Sequence, residues 1–297
     1  MYAKFECIDC IVSQIKTIIG KNFDYLDEKE KFDLMKSVST DLLKYSEYGK
    51  RPIELARVIY EKLGEKSETK THDFYREEKQ ASNALFLEAY DELYKFLKDS
   101  DEPLKNAAKL SVLGNVIDYG IKNSFGELEW ELENSLKLKN FSLDDFDSFY
   151  ETLQEAKILL YIHDNAGEIV LDKLFIKMIK EEFPEVHIIS AVRSAPVIND
   201  VTLEDAKEVG LEEVASEVIE SGSKIPGTLL SDVNQEFLIA YKQADIIISK
   251  GQGNFEGLNG ESEKIYFALM AKCPVVAREL KVDVGDIIFS RKNLFVK

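Results

Sequence analysis

A carboxylate and a carboxamide stand side by side at Asp164 and Asn165, just after an apolar run, Ile158–Ile162. Two small residues, Ala166 and Gly167, and a second carboxylate, Glu168, come next, and a helical pattern begins there. Paired oxygen donors suit a hard cation such as Mg²⁺, and small residues at a helix start let backbone N–H groups approach an anion. The stretch points to metal-assisted chemistry on a phosphate. Two further clusters occupy equivalent places. Arg193 and Val197-Ile-Asn-Asp-Val-Thr202, with Asp200 at its centre, follow the run Val186–Val192, and Lys250-Gly-Gln-Gly-Asn254 follows Asp245–Ser249. Hard oxygen ligands, a point cation and glycine loops are the parts of phosphoryl transfer, where catalysis is mostly positioning and charge neutralisation.

Each cluster also has a plainer reading. Asp-Asn after a strand often caps a helix, Asp200 can be a turn acid, and Thr202 suits the N-cap of a helix from Leu203. Glu168 in a first turn is favoured by the helix dipole. Lys250-Gly-Gln-Gly lacks the Gly-Lys-Ser/Thr ending of a nucleotide P-loop. The coincidence of three clusters at three strand ends favours the functional reading. Asn115 and Asp118, three apart, would share a helix face and line a cleft, and Asp73, Lys79 and Asn83 do so more loosely. Cys7-Ile-Asp-Cys10 is a single pair, short of the four ligands of a structural zinc site. Buried, unreactive thiols are the first reading of it, and a metal or redox site the second. His163 reads as a packing residue, or one that supports a ligand from behind, more than as a metal ligand itself.

The elements that must position these residues fall into two patterns. Residues 1–150 form a helical region expected to cap the cleft, with apolar faces over Ile8–Ile19, Phe32–Tyr45, Ile53–Leu63, Phe74–Leu97 and Leu104–Ile121. Leu128–Asn140 is amphipathic, and Phe141–Asp145 reads as a turn, with Ser142 and Asp145 as a loose capping box. Residues 151–297 form an α/β domain expected to bind metal and phosphate. Strands are expected at Ile158–Ile162, Val186–Val192, Asp245–Ser249, Pro274–Ala277 and Asp286–Phe289. Helices are expected at Ile169–Phe183, Leu203–Val209, Gln235–Ala244 and Glu261–Lys272. The fold class is therefore α/β, a Rossmann-like, mostly parallel sheet with helices on both faces, preceded by an all-helical region.

Bulk properties narrow the function. A net charge of −17 over 297 residues argues against nucleic acid, whose backbone needs a concentrated basic surface. No run approaches the roughly 18 apolar residues of a membrane span. The first residues lack a signal pattern, and three cysteines cannot build a disulfide framework. A cytoplasmic protein with no membrane partner is expected, and a homo-oligomer is left open.

Asp164-Asn-Ala-Gly-Glu168, Val197-Ile-Asn-Asp-Val-Thr-Leu-Glu-Asp205, Ser221-Gly-Ser-Lys-Ile-Pro-Gly-Thr228 and Ser249-Lys-Gly-Gln-Gly-Asn-Phe-Glu256 resemble the metal-dependent damage-control phosphatase family, once named domain of unknown function 89. Gly114-Asn-Val-Ile-Asp118 and the N-terminal Cys-x-x-Cys resemble its prokaryotic, largely archaeal branch. The resemblance implies a divalent cofactor (Mg²⁺, Mn²⁺, Co²⁺ or Ni²⁺) and hydrolysis of small phosphorylated metabolites, sugar phosphates or damaged and side-product phosphates. It implies Asp164, Asn165 and Asp200 as metal ligands. Lys250 would neutralise the phosphate, which Gly251 and the Ala166 and Gly167 amides would cradle. Glu168 or Asp118 would guide the attacking water, and Arg193, Asn115 and Asp118 would face the substrate. Two rivals remain. An S-adenosylmethionine-dependent carboxyl methyltransferase would want a richer glycine loop than Gly167 alone. A non-catalytic metal- or metabolite-binding protein would hold metal and release no phosphate.

Overall fold

The computed structural model describes residues 1–66, 73–114, 134, 136 and 139–291. Asn115 and Asp118 lie outside the described residues, as does most of Leu128–Asn140. One seven-stranded sheet organises the chain: β1 (Phe141–Asp144), β2 (Ile158–Ile162), β3 (His187–Val192), β4 (Glu217–Glu220), β5 (Ile246–Lys250), β6 (Ile265–Met270) and β7 (Ile287–Ser290). The spatial order is β1-β7-β6-β5-β2-β3-β4, and every pairing is parallel except β6 with β7.

The central strands β2, β5 and β6 are apolar along most of their length because helices cover both faces. Leu159 and Tyr161 of β2 join one core, and Leu160 and Ile162 join the other, as the two-residue period of a strand requires. The first core is closed by α4 (Arg76–Glu88), α5 (Tyr90–Lys98), α6 (Pro103–Leu113), α7 (Phe146–Leu153), α8 (Glu168–Glu182) and α9 (Leu203–Glu208). The second is closed by α10 (Gln235–Gln243), α11 (Gly251–Leu258) and α12 (Pro274–Leu280). At the N-terminus, α1 (Phe5–Asn22), α2 (Glu28–Tyr45) and α3 (Pro52–Lys66) enclose a core of their own, built on Ile15, Ile18, Val38, Leu42 and Ile59. Asp27 and Glu30 start α2 with a reciprocal capping box, Glu30 N–H donating to Asp27 Oδ1 at 2.8 Å and Asp27 N–H to Glu30 Oε2 at 2.9 Å.

Several expected elements differ. Phe141–Asp144 is an edge strand instead of a turn, held beside β7, and Asp145 instead of Ser142 precedes α7. The sheet thus begins before residue 150, and α4 to α6 pack directly on it. Ile265–Met270, expected inside a helix, is a strand, because six consecutive buried apolar residues satisfy either period. Pro274–Ala277, expected as a strand, opens α12, with Pro274 in the first turn and Cys273 Sγ accepting from Val276 N–H at 3.5 Å. The short edge strand β4 and the helix α11 carry patterns too weak to predict either element from sequence.

Candidate metal and phosphate site

In the sheet, β2 lies between β3 and β5, with Ile162 level with Ala191 on one side and Ser249 on the other. The order of the sheet reverses at this point, where open α/β sheets form a ligand crevice beyond their carboxyl ends. The loops after β2, β3 and β5 emerge there together. Their main chains clamp one another. Ala166 N–H donates to Asn199 O at 2.9 Å, and Val201 N–H donates to Asp164 O at 2.8 Å. Asn165 and Asp200 face each other in an antiparallel bridge. Asp164, Asn165 and Asp200, 36 residues apart at most in sequence, are all buried.

Asn165 Nδ2 donates to Asp164 Oδ2 at 2.7 Å and to Glu168 Oε2 at 3.2 Å, which makes its carbonyl oxygen the end able to act as a metal donor. Burial pushes the Asp164 carboxyl well up from its usual range, and the charges of Asp200 and Glu168 push it further. Burial also raises Asp200, against the opposing charge of Arg193. Arg193 is itself buried. Its Nε donates to Asp200 Oδ2 at 2.7 Å, and its two terminal nitrogens donate to Thr228 Oγ1 and Asn254 Oδ1, each at 2.9 Å. The fork that was expected to face substrate is therefore spent on fixing the Asp200 loop to the 228 and 254 loops.

Lys250 is likewise enclosed, at 0% exposure. Its ammonium donates to Glu168 Oε1 at 2.6 Å, to Asp172 Oδ1 at 2.6 Å and to Ser111 O at 2.8 Å. These use all three of its donors. Burial opposes the charge on Lys250, but Asp172 and Glu168 outweigh it and raise its pKa, so it stays an ammonium. Burial would raise Asp172 as well, yet Lys250 and His163 hold its carboxyl below the usual range. His163 Nδ1 meets Asp172 Oδ2 at 2.9 Å, so its buried ring braces the carboxylate that Lys250 holds. Lys250 thus anchors Glu168 and Asp172, and a phosphate contact would require it to exchange one of these partners.

The expected phosphate cradle is also redistributed. Ala166 N–H is taken by Asn199 O, and Gly167 N–H by Asn83 Oδ1 at 2.7 Å, so the two amides of this loop are already satisfied. The first turn of α11, by contrast, has no side-chain cap, and Gln252 and Gly253 line the cavity that holds Asp164. Gly251 enters that turn with φ +77° directly against the Asp164 carboxylate. Of the looser candidates, Lys79 bridges Asp73 at 2.7 Å and Asp205 at 2.6 Å, which ties α4 to α9.

The cavity measures about 350 Å³. Its wall includes Asp164, Asn165 and Asp200, together with Lys272 and the three thiols Cys7, Cys10 and Cys273. Cys10 is exposed and Cys7 and Cys273 half-buried, and all three are free thiols. Burial raises the Cys7 and Cys10 pKa values, so both stay protonated at neutral pH. Among the described residues no three His, Cys, Asp or Glu side chains converge as a metal cluster. Lys272, whose charge reaches Asp164, Glu168 and Asp200, carries no mark in the sequence, because the apolar run before it satisfies a helical period as well as a strand's. Asp172 carried a legible signal, four residues after Glu168 and so on the same helix face.

Residues 3–288 match the family model of the damage-control phosphatase ARMT1-like domain. A Pyrococcus horikoshii protein named damage-control phosphatase is 35% identical over 301 residues, covering 99% of each chain. A damage-control phosphatase of Archaeoglobus fulgidus is 33% identical over 81% of this chain and 83% of its own. The crystal structure of a DUF89 family protein from P. horikoshii superposes with a TM-score of 0.87 at 34% identity, covering 99% of each chain. Among the described residues no helix is long and apolar enough to cross a membrane. Motif order, strand-end placement and these matches agree, and the chain belongs to the damage-control phosphatase ARMT1-like family.

Proposed function

We propose that the protein is a divalent-metal-dependent phosphatase that releases phosphate from small phosphorylated metabolites. One observation carries this reading: two buried carboxylates, Asp164 and Asp200, and the Asn165 carboxamide are held together by main-chain bonds at the switch point of the sheet. The donor set is oxygen-only and hard, and burial together with the charges of Asp200 and Glu168 pushes Asp164 upward, which fits a site for a divalent cation. Mg²⁺, Mn²⁺, Co²⁺ and Ni²⁺ all suit such a set. An ion held by Asp164, Asn165 and Asp200 would supply Lewis-acid neutralisation of the phosphoryl group.

The protein's own groups do the rest. The uncapped N–H groups at the start of α11 face the anion, where the helix dipole favours negative charge. Lys272 adds positive charge on the same wall. Arg193 fixes the Asp200 carboxylate, and Lys250 fixes Glu168. Glu168 then stands within reach of the cluster through Asn165, where it can orient a water. The protein is expected to work in the cytoplasm.

The test is a phosphate-release screen over phosphomonoesters, run with each divalent ion and with chelator. Turnover that requires an ion and disappears in Asp164→Ala and Asp200→Ala supports the reading. Metal binding without release of phosphate from any ester would make the protein a binding module instead.

A further inference from the structure

A second cavity, about 500 Å³, lies between α3 and the loops after β3 and β4. It shares Ile198 with the cavity that holds Asp164 and Asp200, so the two adjoin at the loop that carries Asp200. Ile198 has φ +46°, a left-handed conformation that a β-branched residue rarely adopts. Strain of this kind persists only where the surroundings over-determine it, and it gathers at ligand sites. Gly222 N–H donates to Ser194 Oγ at 2.7 Å, and Ser223 Oγ donates to Gly227 O at 2.6 Å, which locks the Ser221–Thr228 motif.

The wall of this cavity has a distinctive chemistry. Tyr60, Phe74 and Tyr75 give it aromatic surface, and Ile18, Leu63 and Ile225 extend it. The Tyr60 hydroxyl is buried and has no hydrogen-bond partner among the described residues. A buried hydroxyl without a partner is costly unless a ligand or water completes it. Burial raises the Tyr60 phenol well above its usual value, and the Asp200 charge adds to this, so it remains a donor and lies within electrostatic reach of the cluster. The charged groups on the wall are mostly matched. Arg57 is paired with Asp232, and Asp73 with Lys79. Glu61 and Lys224 are of opposite sign, so the cavity has no cluster of cations to receive a second anion.

We propose that this cavity receives the alcohol part of the phosphomonoester as an uncharged cyclic group with an apolar face, and that Tyr60 hydrogen-bonds a hydroxyl on that ring. The assignment rests on the phosphatase reading above. It makes Tyr60 a specificity residue and disfavours esters whose leaving group carries a second phosphate.

The experiment compares kcat/KM of the metal-loaded wild type and Tyr60→Phe on inositol monophosphate, cyclohexyl phosphate and inositol bisphosphate. The wild type is expected to prefer inositol monophosphate to cyclohexyl phosphate by about 10-fold or more, since sites built to bond a hydroxyl reject analogues lacking it. Tyr60→Phe is expected to lose that preference, and the bisphosphate to be the poorest substrate of the wild type. Because the hydroxyl it removes has no partner, Tyr60→Phe should fold with an undiminished Tm. A preference that survives in Tyr60→Phe, or a bisphosphate that is the best substrate, overturns the proposal. If the wild type hydrolyses none of the three but releases phosphate from another ester, this proposal falls while the phosphatase reading stands; if it releases phosphate from no ester, that reading fails, and calorimetric binding of the same three esters decides the cavity on its own. Tighter binding of inositol monophosphate than of cyclohexyl phosphate, lost in Tyr60→Phe, supports it, and equal or absent binding refutes it.

Discussion

The α-carbon of Gly251 lies so close to the Asp164 carboxylate that a Cβ at this position would stand 1.9 Å from Asp164 Oδ2. The start of α11 and Asp164, the first of the proposed metal donors, are therefore in contact with no room for a side chain. Gly251→Ala must displace Asp164 or the helix start, and at φ +77° it also strains its own backbone, at a cost of about 1–3 kcal/mol. We expect kcat/KM to fall by about 100-fold, as small misplacements near a reacting centre do. Steady-state kinetics beside a circular-dichroism melt check this, and a folded variant with wild-type turnover would detach Asp164 from the chemistry.

Metal binding should read out without any substrate. An ion that binds only the folded protein stabilises it by about 2.7 kcal/mol at 100 times its Kd. Titrating Mn²⁺ into metal-free protein should raise Tm, and Asp164→Asn and Asp200→Asn should abolish the rise. An undiminished rise in both variants would place the ion elsewhere.

Lys250 is predicted to be a structural keystone as well as a site residue. Removing it leaves Glu168 and Asp172 as buried carboxylates without their cation, and breaking such a network costs about 3–5 kcal/mol. Lys250→Met should therefore lower the urea midpoint markedly, and adding Glu168→Gln should restore part of the loss. A normal midpoint with only a raised KM would return Lys250 to a purely phosphate-binding role.

Glu256 supplies a pH dependence with a defined sign. Burial pushes its carboxyl from 4.5 up to about 7, with the Gln252 hydrogen bond opposing. The folded state therefore holds this proton more tightly than the unfolded chain. Its contribution to stability is fully present below the unfolded value and is lost as pH rises through the folded one. Glu256→Gln should flatten the decline in unfolding free energy across that window, as measured by urea titrations at several pH values. An identical slope in the variant would show that Glu256 does not titrate there.

The strands that carry the cluster were legible because β2, β3 and β5 are buried on both faces and read as continuous apolar runs cut off by polar residues. The same property hid β6, since Ile265–Met270 is too short and too uniformly apolar for its period to separate strand from helix. Without a recognisable strand there, Lys272 has no strand end in the sequence to mark it. The family resemblance spanned the chain and agreed with the matches that the whole sequence makes.

Residue order and type alone were enough to bring Asp164, Asn165 and Asp200 to one sheet edge, because parallel strands with helical crossovers leave their carboxyl ends side by side. Which atoms are still available there was decided only by tertiary contacts. Asn83, more than eighty residues away, takes the Gly167 amide, Asp172 and Ser111 O occupy Lys250, and Thr228 and Asn254 occupy Arg193. A motif specifies donors and acceptors, but their partners come from segments remote in sequence, and burial makes satisfying them compulsory.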